Sequence, residues 1–148
     1  MTEQQRAERV ARAMFAQDRA SQWMGMELLE VAPGYARLAM RVGREMVNGH
    51  GICHGGVIFA LADSAFAFAC NTDNRMTVAL ACHISFVAPA REGERLVAEA
   101  REQAKGGRTG VYDVTVTRAD GTLVALFRGN AYRTREPVVP PERLGEEG

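Results

Sequence analysis

The sequence predicts an α+β domain in which a long antiparallel sheet wraps around one central apolar helix. Residues of about 55–71 are apolar on every side, with alanines at 60, 62, 65, 67 and 69 set among Phe59, Leu61, Phe66 and Phe68, and a helix without a polar face has to be enclosed. Four strand-like runs follow, at 76–89, 95–105, 109–117 and 122–133, with Glu92-Gly93-Glu94, Gly106-Gly107 and Asp120-Gly121 between them. The apolar run is too long for an ordinary strand, which decides it as a helix. One buried helix and one long sheet satisfy each other if the sheet curls around the helix.

The remaining elements fit around that pair. Thr2 and Gln5 have capping-box spacing, and Ala7, Val10, Ala11 and Met14 recur at helical intervals, so an amphipathic helix is expected over about 3–23. Residues 27–32 and 35–42 read as a hairpin about Pro33-Gly34, because Ala36, Leu38, Met40 and Val42 alternate with Arg37 and Arg41. The four later runs are expected to pair in sequence order as a meander. From 136 onward three prolines and four glutamates offer nothing to a core, so residues 1–135 read as one domain and 136–148 as a flexible tail.

The chain has 148 residues, enough for one proper core, with 18 basic and 18 acidic residues and no net charge. Without a global field, nucleic acid and anionic membranes are poor partners. The polar N-terminus and the lack of any uncharged stretch of 18 residues point to a cytoplasmic protein. Three cysteines fit reduced, buried thiols better than a disulfide framework.

The chemistry is concentrated where Asn48-Gly-His-Gly-Ile-Cys-His54-Gly55-Gly56 runs into the apolar helix and where Asp63 interrupts it. The first N–H groups of a helix have no partner within it and sit at the positive end of its dipole. Gly55 is therefore a candidate oxyanion donor that also lets a substrate approach closely. Asp63, a carboxylate in apolar surroundings, is a candidate nucleophile or general base. It follows Gly55 by eight residues, or ~12 Å of helix. That is too far for one carbonyl, so the two can serve one site only if it is shared between subunits. Asn48 offers an amide to a carbonyl or to water, and His54 reads as a loop anchor. Lys105-Gly-Gly-Arg108 is the preferred contact for an anionic phosphate.

These motifs resemble a known family. Asn48-Gly-His-x-x-Cys-His54-Gly55-Gly56, Leu61-Ala-Asp63-Ser-Ala-Phe-Ala-x-Ala-Cys-Asn71, Thr109-Gly-Val-Tyr-Asp113 and Val124-Ala-Leu-Phe-Arg-Gly129 are similar to hotdog-fold acyl-CoA thioesterases of the phenylacetic acid degradation type. The likeness covers roughly residues 12–133. It implies a hotdog fold and a thioesterase for phenylacetyl-CoA and ring-hydroxylated relatives. Its active-site groups fall here on Asn48, His54, Gly55 and Asp63, so that Asp63 and Gly55 are the expected catalytic groups, Asn48, His54 and the neighbouring Gly56 the expected substrate-binding ones, and Lys105 and Arg108, on their own chemistry, the expected contacts for the CoA phosphates. It also implies a homotetramer built as a dimer of dimers, with no metal and no cofactor beyond the CoA of the substrate. Some hotdog thioesterases outside this subgroup add a serine or threonine that positions water; Ala67 and Ala79 stand there in this chain, leaving that role to Asn48.

Other chemistries fit less well. His50, Cys53, His54, Cys82 and His83 match no paired zinc spacing, and Ser64 lacks a Gly-x-Ser-x-Gly elbow. Two alternatives remain open: a hotdog hydratase or dehydratase, and a non-catalytic acyl-CoA-binding module.

Overall fold

The structure, a computed structural model, describes residues 1–145. Its elements are α1 (Glu3–Gln17), α2 (Arg19–Trp23), β1 (Glu27–Ala32), β2 (Tyr35–Arg41), α3 (Gly55–Cys70), β3 (Arg75–Phe86), β4 (Arg95–Gly106), β5 (Thr109–Arg118), β6 (Leu123–Pro137) and α4 (Pro141–Leu144). The six strands form one antiparallel sheet in the order β1-β2-β4-β5-β6-β3, and the sheet wraps α3 as the hotdog fold requires. Leu38, Met40, Leu96, Ala98, Val114, Val116 and Phe127 from the strands enclose Leu61, Ala62, Ala65, Phe66 and Ala69 of the helix. Phe66 packs against Tyr112 and Phe127, and a Cβ at Gly129 would come within 2.6 Å of its ring. That glycine lets a central strand approach the helix closely.

Three elements depart from the expectations. The meander does not include β3. Strands β4, β5 and β6 pair in sequence order, but β4 pairs with β2, while β3 crosses over to the far edge beside β6. The segment before β4 bonds to the end of β2, with Val42 N–H donating to Glu94 O and Gly93 N–H to Val42 O. The Glu-Gly-Glu turn therefore serves β2 and not a β3–β4 hairpin.

The expected helix over 3–23 breaks at Asp18. The capping box at Thr2 and Gln5 starts α1 as read. Asp18 then leaves helical geometry (φ −86°, ψ 83°) because its carboxylate takes the Ser21 N–H and caps a new helix.

Residues 136–145 are not a loose tail. β6 continues to Pro137, and Asn74 pairs with Val139 through both its amide oxygen and its amide nitrogen, at 2.9 and 2.8 Å. α4 then buries Leu144, whose carbonyl accepts from Arg9 Nη1 at 2.6 Å. The last three residues of the expected tail lie outside the described residues. Among those described, no helix is long and apolar enough to cross a membrane.

Candidate active site at the start of the central helix

The loop 48–54 is held from several directions. Asn48 N–H donates to Ile52 O and Gly51 N–H to Asn48 O; Cys53 N–H reaches Ala90 O and His54 N–H reaches Met46 O, at 2.7–3.0 Å. Gly51 takes φ +79°, which the tight return of the loop requires. Asn48 Oδ1 accepts from the N–H groups of His50 and Ile52 at 2.9 and 3.4 Å. Its amide oxygen is thus committed to the loop, and what it has left for a ligand is the NH2 group.

His54 is the N-cap of α3. Its Nδ1 accepts from Gly56 N–H at 2.9 Å, and its carbonyl accepts from Val57 and Ile58. A Cβ on Gly56 would lie 3.0 Å from Nδ1, so Gly56 makes room for the ring that caps its own N–H. Of the first four N–H groups of α3, three are satisfied by His54. The Gly55 N–H alone has no acceptor among the described residues, at the positive end of a 16-residue helix.

That N–H opens on a cleft of about 440 Å³ lined by Asn48, Ile52, Gly55, Ile58, Phe86 and Val87. The Phe86 ring is so near that a Cβ at Gly55 would meet its Cζ at 3.0 Å. Phe86 and Ile52 were not among the predicted site residues. Phe86 carried a signal, because Phe86 and Val87 are consecutive apolar residues at a strand end, where alternation leaves one of them facing outward. Phe66, on the same helix as Gly55, is core. Cys53 beside His54 is also structural, because burial pushes its thiol up to about 11 and its Sγ points to the His54 carbonyl.

Asp63 lies two turns further along α3, half-buried, and accepts no hydrogen bond among the described residues. Burial first, and the negative charge of Asp18 second, raise it above the usual carboxylate range. Along one line of α3 Gly56 is exposed and Ala60, Asp63, Ser64 and Ala67 are only partly buried, so the helix that reads as apolar all round in sequence is less enclosed on that side than on the others.

The predicted site residues therefore fall into three places. Asn48, His54, Gly55 and Gly56 come together at the helix start. Asp63 stands ~12 Å along the same helix. Lys105 and Arg108 sit past its other end: Lys105 Nζ lies 3.5 Å from Asp73 and 3.8 Å from Glu102, and Arg108 donates to Tyr132 Oη at 3.1 Å.

Comparison with known proteins agrees with this architecture. The family model of the thioesterase superfamily matches residues 50–125. The acyl-coenzyme A thioesterase PaaI of Escherichia coli is 42% identical over 123 residues, covering 83% of this chain and 88% of that one. A putative esterase of Archaeoglobus fulgidus is 39% identical over 136 residues, 92% of this chain and 88% of that one. The solved structure of the E. coli PaaI protein, from the phenylacetic acid degradation operon, superimposes with a TM-score of 0.90 at 38% identity, covering 92% of this chain and 99% of that one.

Proposed function

The chain belongs to the thioesterase superfamily and is an acyl-CoA thioesterase, and we propose that its substrates are aryl-acyl-CoA thioesters such as phenylacetyl-CoA and hydroxyphenylacetyl-CoA, cleaved to the free acid and CoA in phenylacetate degradation. One observation carries the mechanistic reading: among the described residues, neither the Gly55 N–H nor the Asp63 carboxylate of α3 has a hydrogen-bond partner. Unpaired polar groups of this kind are kept where a reaction uses them. In the proposed reaction the Gly55 N–H stabilises the oxyanion formed when the thioester carbonyl is attacked, aided by the Asn48 amide NH2. Asp63 either takes the proton of the attacking water or attacks the carbonyl itself to give an anhydride that water then opens. The C–S bond breaks, and the CoA thiolate leaves and is protonated. The cleft wall of Ile52, Ile58, Phe86 and Val87 suits a planar apolar acyl group.

Because ~12 Å separates the two groups in one chain, the proposal requires Gly55 of one subunit to meet Asp63 of another. The edge strand β3 is the surface offered for that assembly. It is 12 residues long, and it leaves Val78 and Leu80 48% and 62% exposed beside open backbone groups. A long apolar edge of this kind is a template for pairing with a second copy. Two antiparallel α3 helices would also bring one subunit's Lys105 and Arg108 end to the other's Gly55 end, where the CoA phosphates would lie. Two such dimers give the proposed tetramer. The reading needs water and a carboxylate but no metal or cofactor, and it implies the cytoplasm, where CoA thioesters are made and used.

The test is thiol release from phenylacetyl-, hydroxyphenylacetyl-, benzoyl- and straight-chain acyl-CoAs by wild type and Asp63→Asn. Fast turnover of the aryl-acyl substrates, lost in Asp63→Asn by about 10²–10⁴-fold, is expected for a lost acid–base group. Preference for straight chains would overturn the substrate assignment, and undiminished turnover by Asp63→Asn would overturn the role of the acid.

A further inference from the structure

The α1–α2 elbow brings a second carboxylate into the surroundings of Asp63. Asp18 Oδ1 accepts from Ser21 N–H at 3.0 Å, and Oδ2 accepts from Ser21 Oγ at 2.6 Å. Ser21 is buried, and its Oγ lies 2.9 Å from Oγ of Ser64, the residue after Asp63 on α3. A hydroxyl has one proton, and Ser21 gives its own to Asp18, so Ser64 must donate to Ser21. Donation runs from Ser64 to Ser21 to Asp18, away from Asp63. The serine beside the reacting acid is therefore committed to the elbow, and the Asp18 charge is fixed by a buried bridge.

We propose that Asp18 is a positioning residue for the thioesterase reaction: through Ser21 and Ser64 it clamps the α1–α2 elbow to α3 and holds a negative charge beside the reacting carboxylate. The inference rests on the reading of Asp63 as the reacting acid. Among the described residues, Asp18 is the charged group whose field reaches Asp63. Cys82 on β3 and Cys70 on α3 are thiols pushed up by burial, the latter to about 12, and both are neutral at physiological pH. The inner faces of β2, β4 and β6 present Leu38, Met40, Leu96, Ala98 and Phe127 to the helix. β5 presents Tyr112, whose hydroxyl donates to Glu102. Met14 and Phe15 of α1, with Met24 after α2, seat the elbow on the core, Phe15 against Phe68 at 6.2 Å between ring centres. A like charge disfavours ionisation of its neighbour, which is the direction Asp63 takes.

The test compares wild type, Asp18→Asn, Asp63→Asn and Asp120→Asn, the last a remote exposed carboxylate as control. The readouts are the pH profile of kcat/KM and the titration of the Asp63 carboxyl by carbon-13 NMR. Asparagine is a good cap, so α2 should survive. In Asp18→Asn, the acid limb of the profile and the Asp63 midpoint should move together to lower pH, with neither moving in Asp120→Asn. If Asp63→Asn is inactive and Asp18→Asn moves neither, the inference is overturned while the reading of Asp63 stands. If Asp63→Asn retains full activity, that reading fails, and the NMR midpoint alone still decides whether Asp18 biases Asp63. Should Asp18→Asn not fold, Ser21→Ala removes the bridge and keeps the charge. It should give a smaller shift of the midpoint in the same direction, and an unmoved midpoint there overturns the inference.

Discussion

The two ends of α3 have been finished differently. At the C-terminal end the groups that finish the helix are paired. Asn71 donates to Ala67 O and Thr77 O and accepts from Thr77 N–H; Thr72 donates to Ala69 O and accepts from Gly34 N–H; Asn74 ties down Val139. At the N-terminal end His54 satisfies three of four helix N–H groups and leaves that of Gly55 open on a cleft. The two carboxylates associated with the helix repeat the contrast. Asp73 is pushed up by burial, but the Arg75 N–H, Lys105 and Arg133 outweigh that and hold it low; Asp63 has no such partners and is raised. One end of the helix is finished by partners within the fold, and the other keeps a backbone donor open on a cleft.

The largest effect should come from the open end. Proline is tolerated at the first helical position and has no N–H, and the residue before it, His54, already has the extended geometry that proline demands (φ −60°, ψ 133°). Gly55→Pro therefore removes the proposed oxyanion donor while retaining the helix start. A loss of about 10²–10³-fold in kcat is expected. Gly55→Ala, which keeps the N–H and only displaces the Phe86 ring, should lose far less. Equal losses in the two variants would mean that space, and not the donor, is what Gly55 provides. Co-expressing Gly55→Pro with Asp63→Asn sharpens the point. In a mixed dimer with shared sites one site carries both defects and the other neither, so random pairing restores about a quarter of wild-type activity. Sites confined to single chains would give no rescue.

The closed end should answer in stability instead. Asn71→Ala removes four hydrogen bonds, the weakest to Cys70 Sγ, and leaves the buried Thr77 N–H and carbonyl without the Asn71 amide, at an expected loss of about 2–4 kcal/mol. Activity per folded molecule should hold, as measured by denaturant unfolding beside active-site titration. A fall in kcat larger than the fall in folded fraction would join the two ends that the structure separates.

How far the sequence could be read follows the same division. The glycine-rich loop, the apolar helix and its single acid were legible because each is local: a helix start and a lone carboxylate announce themselves within a few residues. The place of β3 was not. Alternation along 76–89 identifies a strand but carries no information about its neighbour, and only the bonds of 93–94 to Val42 show that β4 belongs beside β2. The C-terminal segment misled for a related reason. Its prolines and glutamates read as loose, but it is held by Asn74, 65 residues earlier, and by Arg9. At Asp18 two local signals competed, and capping prevailed over helical periodicity. The sequence offered the Gly55 N–H as a free donor, but did not show that His54 satisfies the other three N–H groups of the first turn, because that depends on its ring facing back to Gly56.

The smallest predicted effect tests the carboxylate contrast directly, through the pH dependence of stability. Asp73 is held low in the folded state, so it stabilises the fold above its unfolded value, and that contribution is lost as pH falls through its folded value. Asp73→Asn should therefore lower the melting temperature at pH 7, with the deficit shrinking on acidification; its partly exposed ion pairs limit the loss to about 1 kcal/mol. Asp63 is raised in the folded state, so its ionisation opposes folding above its unfolded value, and the penalty disappears as pH falls below that value. Asp63→Asn should raise the melting temperature at pH 7 and bring it back towards wild type in acid, by less than about 1 kcal/mol because solvent screens the half-buried charge. Two Asp→Asn changes at the same helix, one isosteric swap each, should thus move stability in opposite directions at neutral pH and converge on wild type in acid. A carboxylate that folds better once its charge is removed is one retained for what the charge does to a substrate, and equal destabilisation by both variants would place Asp63 with Asp73 among the groups that merely hold the fold together.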